Sequence, residues 1–205
     1  MKLYYLKGSC STVPHIALEW IGQPYEAVEM SREAIKQADY LALNPQGSVP
    51  LLVDGDFALS QNVAILTYLD NLYPDAKIFG SKTVQDKAKA IKWLAFCNAD
   101  IHPIFGRIFN VPAYLQGNEE LVKQYRQELA ERLLRLYAIA NEYLSQHQFF
   151  GEQISVADVY LYITLRWSQA IGLDYSHLHH LTAHYQRVGQ NAGVQSVLKQ
   201  QGLPV

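Results

Sequence analysis

After Pro74 the chain shows no convincing strand, and this change of character constrains the fold more than any other feature of the sequence. Before it, short β-type runs alternate with helical stretches. Residues 3–6 read as a strand, residues 13–21 carry helical periodicity, and residues 25–29 alternate like a second strand. Residues 32–43 read as a helix that stops before Asn44-Pro45, because a residue ahead of proline avoids helical angles. Residues 50–53 and 57–59 flank Asp54-Gly55-Asp56, a hairpin signal, and residues 63–73 form a third helical pattern ended by Pro74. The order is βαβα, then ββα.

Beyond a linker at residues 75–81 the patterns are long, amphipathic and helical, over residues 86–107 and 119–147. A further helix starts at Ser155, which can cap the backbone while Asp158 reaches back to it. Ile154 and Val159 stand at the hydrophobic-staple positions around that cap. The expectation is an α/β plus all-α chain in two domains, 1–80 and 81–205.

With 205 residues, 49% of them hydrophobic, the chain can bury a sizeable core. A formal net charge of -2 without any block of like charges argues against a nucleic-acid surface or a polybasic membrane anchor. No apolar run approaches the roughly 20 residues of a membrane span. Met1 to Tyr5 lead directly into a strand, without the apolar core of a signal peptide. Two cysteines at no framework spacing argue against a disulfide-stapled secreted fold, so a cytoplasmic location is expected, and no metal site.

Cys10 falls between the first strand and the first helix. Unpaired N–H groups at a helix start favour a thiolate and lower a cysteine pKa. The competing reading is an inert buried side chain. Dithiol chemistry would need a second cysteine three places on, where Val13 stands, so a single sulfur would act on an external thiol or electrophile. Cys97, between Phe96 and Asn98 in a helical pattern, reads as core packing. A turn at residues 44–48 delivers Val49-Pro50 into a strand, and a cis bond there would offer the Val49 backbone to a peptide-like ligand. Ser60-Gln61-Asn62 precede the third helix, where they could hold a carboxylate or simply cap the backbone.

Together these pieces resemble the cytosolic glutathione transferases, in particular the bacterial beta class. Gly8-Ser9-Cys10-Ser11 with Pro14-His15-Ile16, Asn44-Pro45, Gly47, Val49-Pro50, Val63-Ala64-Ile65 and Ser155-Val156-Ala157-Asp158 carry the likeness, in order, over nearly the whole chain. The resemblance implies a thioredoxin-like N-terminal domain, a helical C-terminal domain of the transferase type, and a homodimer. It implies glutathione as co-substrate with no prosthetic cofactor, and small hydrophobic electrophiles as its partners in reaction.

By the same resemblance, glutathione pairs with Val49 ahead of Pro50 and its sulfur faces Cys10 or Ser11. Its γ-glutamyl end meets Gln61 and Asn62, and His102 approaches from the helical domain. Arg32 and Lys36 are both candidates for the basic contact. Electrophiles would lie along residues 104–111, with Phe105, Phe109, Tyr114 and Trp167 as aromatic candidates and packing the better reading of Trp167. The chain departs from the family pattern at Asn62, at Pro103 in place of a lysine, and at Ala95 in place of an asparagine. Two other activities compatible with the resemblance are thiol transfer or peroxide reduction through a Cys10 mixed disulfide, and binding without catalysis.

Overall fold

The computed structural model describes residues 1–205. The first part is a four-stranded mixed sheet in the order β2-β1-β3-β4. Strand β1 (Lys2–Tyr5) runs parallel to β2 (Glu26–Glu29) and antiparallel to β3 (Leu51–Asp54), with Leu3 opposite Ala27 on one side and Leu52 on the other. The hairpin partner of β3 is β4 (Phe57–Ser60), joined through Gly55, whose φ of +58° suits a glycine. Helix α1 (Thr12–Ile21) is buried from Thr12 to Leu18, and α3 (Asn62–Leu72) packs beside it. The predicted helix over residues 32–43 is broken. A 3₁₀ turn at Ala34–Lys36 and helix α2 (Ala38–Leu43) are separated by an extended Gln37, which lets Ile35 and Tyr40 both pack on Leu51.

The rest is helical: α4 (Val84–Ala95), α5 (His102–Phe109), α6 (Glu119–Leu144), α7 (Val156–Ala170), α8 (His179–Gly189) and α9 (Ala192–Gln200). The pattern read as one helix over residues 86–107 is interrupted by a π-helical segment, Phe96–Ile101. Pro103 has no N–H to give to the Ala99 carbonyl, so a regular helix through this point would lose a bond, and the widened turns lie just ahead of it. No helix is long and apolar enough to cross a membrane.

Helix α7 is the axis of the molecule, buried on all sides from Val156 to Leu165. Its capping box is present: the Ser155 N–H and hydroxyl donate to Asp158 Oδ2 at 2.8 and 2.6 Å. Residues 75–81 are a packed strap rather than a free linker, with Ile78 and Phe79 buried and the Ile78 carbonyl accepting the Val156 N–H at 2.9 Å. One hydrophobic core contains Leu3 and Ile65 as well as Tyr137 and Tyr160, so sheet and helices fold around common contacts. The α/β plus all-α architecture expected from the sequence is what the structure has.

Candidate active site

Strand β1 feeds a turn, residues 6–11, whose own hydrogen bonds decide which side chains face outward. The Ser11 hydroxyl is buried, donates to the Leu6 carbonyl at 3.2 Å, accepts the Leu6 N–H at 3.1 Å and lies 2.6 Å from the Ser9 hydroxyl. A hydroxyl has one donor and two acceptor sites, and here all are engaged inside the turn. The Ser11 N–H is also taken, by Ser9 Oγ at 3.2 Å. Ser11 thus closes the turn, while Cys10 is the side chain that reaches the cleft.

Cys10 faces the opposite way. It is 9% exposed, with Sγ 3.8 Å from the Val49 carbonyl, across the cis Val49–Pro50 bond's loop. Burial pushes its thiol up to about 11, and the opposing donors, the Asn62 amide, the backbone N–H groups of residues 10 and 11 and the Tyr160 hydroxyl, do not offset it. Burial thus opposes the activation expected at a helix end, and the thiol is protonated at pH 7.

The far end of the chain holds this turn from behind. Gln201 accepts the Gly8 N–H at 3.0 Å and the Thr12 hydroxyl at 3.2 Å, which leaves its amide NH₂ facing His15 Nδ1 at 3.0 Å. Trp167 donates its indole N–H to the Gly8 carbonyl at 2.8 Å. The Cys10 turn is thus positioned jointly by the sheet, α7 and the residues after α9.

Opposite Cys10, the π-helical segment and α5 bring Asn98 and His102 to the cleft. His102 Nδ1 lies 2.8 Å from the Tyr160 hydroxyl, which donates to Asn98 Oδ1 at 3.0 Å. Asn62, only 3% exposed, directs its NH₂ to the same hydroxyl at 3.5 Å, while its Oδ1 has no partner. Burial lowers the His102 pKa below its usual 6.5, so the ring is neutral at pH 7 and able to accept a proton. Tyr160 is pushed well above its ordinary value by burial and stays a phenol.

The cleft between sheet and helices has two lobes. A polar lobe of about 320 Å³ is lined by Ser48, Val49, Pro50, Gln61, Asn62 and Asn98 among others, and a larger one of about 690 Å³ by Leu6, Met30, Ile35, Phe105, Phe109 and Trp167 among others. Cys10, Val49 and His102 belong to both, so the lobes meet where the thiol and the imidazole are. Arg32 lines the larger lobe, whereas Lys36 is turned onto the Gly47 carbonyl at 2.7 Å and holds the loop. Gln61 caps α3 with a φ of +75°, a conformation that a non-glycine residue adopts only under constraint from its surroundings, and its amide donates to Gln46 Oε1 at 3.0 Å. Tyr114, 82% exposed, does not line the cleft, while Trp167, read from the sequence as packing, does.

Tyr160 and Asn98 were missed by sequence reasoning. Tyr160 stands in the apolar run of α7 and looks like core, and Asn98 reaches the cleft through a π-helical segment that a 3.6-residue period does not reveal. The available signal for Tyr160 was its phenolic oxygen within a buried helix, since a buried phenol needs a partner.

Two family models match, "Glutathione S-transferase, N-terminal domain" over residues 1–71 and "Glutathione S-transferase, C-terminal domain" over residues 84–191. A glutathione S-transferase of Xanthomonas campestris is 39% identical across 99% of this chain and 100% of its own length. Among solved structures, a glutathione S-transferase from Xylella fastidiosa superposes with a TM-score of 0.94 at 36% identity over 99% of each chain. A bacterial beta class glutathione S-transferase of Sphingomonas chungbukensis does so at 0.86 and 30% identity over 100% of each.

Proposed function

The chain belongs to the glutathione S-transferase family, and on that footing we propose that it joins the thiolate sulfur of glutathione to small hydrophobic electrophiles in the two-lobed cleft. The observation that carries the reading is the meeting of a polar and an aromatic-walled lobe at Cys10, Val49 and His102. Glutathione occupies the polar lobe, with its cysteinyl backbone on Val49 ahead of Pro50. Its γ-glutamyl carboxylate takes the free N–H groups at the start of α3, beside Gln61 and Asn62. Arg32 serves the other end of the tripeptide. The electrophile lies against Phe105, Phe109 and Trp167.

In the reaction, neutral His102 takes the proton of the glutathione thiol. The sulfur lone pair forms an S–C bond, and the leaving group departs with the electron pair of the bond it breaks. Cys10 keeps its proton and offers S–H to the developing thiolate. The raised thiol pKa is what disfavours a route through a Cys10 mixed disulfide. Glutathione is a substrate here, and the step needs no prosthetic group.

Four finer readings belong to the same proposal. The chain is a beta-class member, on the strength of the Gly8-Ser9-Cys10-Ser11 turn and the likeness to a beta class structure. Its domains divide between residues 80 and 81. It works in the cytoplasm, and as a homodimer; Phe57, 47% exposed beside Tyr68, is an apolar side chain that a second copy would bury.

Cys10→Ala tests the role of the sulfur. Loss of one neutral hydrogen bond, about 0.5–1.5 kcal/mol, predicts conjugation of an activated aryl halide within about tenfold of wild type. A loss of about a thousandfold or more would make Cys10 part of the chemistry and overturn the neutral-donor role.

A further inference from the structure

We propose that Tyr160 and Asn98 set the tautomer of His102, and so decide which ring nitrogen faces the glutathione thiol; this rests on the transferase reading above. The Tyr160 hydroxyl has one proton, and its geometry assigns it to Asn98 Oδ1 at 3.0 Å. The oxygen is then an acceptor toward His102 Nδ1, 2.8 Å away, so that Nδ1 carries the ring proton. The lone pair is left on Nε2, the nitrogen free to take a proton in the cleft. Asn62 supports the same arrangement, since its NH₂ approaches the phenolic oxygen at 3.5 Å as a second donor.

Three elements contribute: the start of α3, the π-helical segment before α5, and the buried face of α7. The titratable groups around the hydroxyl are Cys10 from the first turn, Cys97 from the π-helical segment and His102 itself. Asp158, two residues earlier on α7, is engaged by the Phe150 N–H, Ser155 and His184 instead. Asp100 is exposed at the outer surface of the segment. No carboxylate therefore competes with the phenol for the Nδ1 proton. Tyr160 and Asn98 act through His102 and are positioning residues.

The test uses the full chain with glutathione and an activated aryl halide, in wild type, Tyr160→Phe, Asn98→Leu and His102→Ala. Tyr160→Phe removes the acceptor for Nδ1–H. Asn98→Leu frees the phenolic proton for Nδ1 and drives the ring proton to Nε2. Both variants are expected to lower kcat about tenfold or more and to displace the acid limb of the kcat/KM profile, with the glutathione KM changed less than threefold in Tyr160→Phe, whose side chain lines neither lobe. Nitrogen-15 shifts of His102 in the wild-type protein should report Nδ1–H, shifting toward Nε2–H in Asn98→Leu. A wild-type ring protonated at Nε2, or unchanged profiles in both variants while His102→Ala is impaired, would overturn the tautomer assignment alone. Full activity in His102→Ala would instead defeat the underlying role of the histidine. Should Tyr160→Phe fold poorly, Asn98→Leu and the wild-type nitrogen shifts decide the question without it.

Discussion

Asp158→Ala should destabilise the protein by about 3–5 kcal/mol, a large fraction of the roughly 5–15 kcal/mol that holds a typical native protein together. The carboxylate is fully buried and accepts from four donors: the Phe150 N–H at 2.9 Å, the Ser155 N–H at 2.8 Å, the Ser155 hydroxyl at 2.6 Å and His184 Nε2 at 2.8 Å. These donors come from the start of α7, the loop before it, and α8. Alanine removes every acceptor at once and leaves each donor buried, at about 1–3 kcal/mol for an unsatisfied group. The cavity adds to that cost.

Asp158→Asn separates hydrogen bonding from volume. The amide is nearly isosteric, but its NH₂ must face either the Ser155 pair or the Phe150 and His184 pair, donor against donor. Denaturant unfolding should place Asn between wild type and Ala. An Asn variant as stable as wild type would show that shape, not acceptor chemistry, holds the start of α7. Because α7 also carries Tyr160 and Trp167, both variants should lose activity in proportion to the unfolded fraction rather than through any change in pH profile.

The second large effect belongs to His102. Removing a positioned general base typically costs about 10²–10⁴-fold in rate, and His102→Ala should fall in that range for conjugation at neutral pH. Burial holds the imidazole below its usual 6.5. The sign follows: above that pKa the ring is neutral and accepts the thiol proton, and as pH falls through it the ring is already protonated and the rate declines. Wild-type kcat/KM should therefore show an acid limb below pH 6.5, and His102→Ala should lose it. In the variant the rate should keep rising as hydroxide removes the thiol proton, toward about pH 8.5. An unaltered acid limb would place the titrating group elsewhere.

Much of this was legible in the sequence, and the exceptions have physical causes. The βαβα-ββα order is written in alternation and in prolines, and the cap at Ser155 and Asp158 in a three-residue spacing, so both were recoverable. The positions of Cys10 and His102 in one cleft came only through resemblance, because they are distant in sequence and share no local pattern. The commitment of the Ser11 hydroxyl to Leu6 and Ser9 was not legible, because adjacency to Cys10 says nothing about which way a turn directs each side chain. The burial that pushes the Cys10 thiol up was not legible, because a helix end is visible in sequence and burial is not. Lys36 and Arg32 could not be ranked until the helix around them proved broken at Gln37. Gln201, which fixes the Cys10 turn from the other end of the chain, is a long-range contact with no sequence signature.

The ionisation of bound glutathione tests the central claim most directly, through the ultraviolet difference absorbance of its thiolate followed against pH in the saturated protein. With the neutral His102 imidazole to accept from it and the Cys10 S–H to donate to it, the bound thiol should titrate about two units below the roughly 8.5 of a free thiol. Titration at the free value, with glutathione demonstrably bound, would contradict the account.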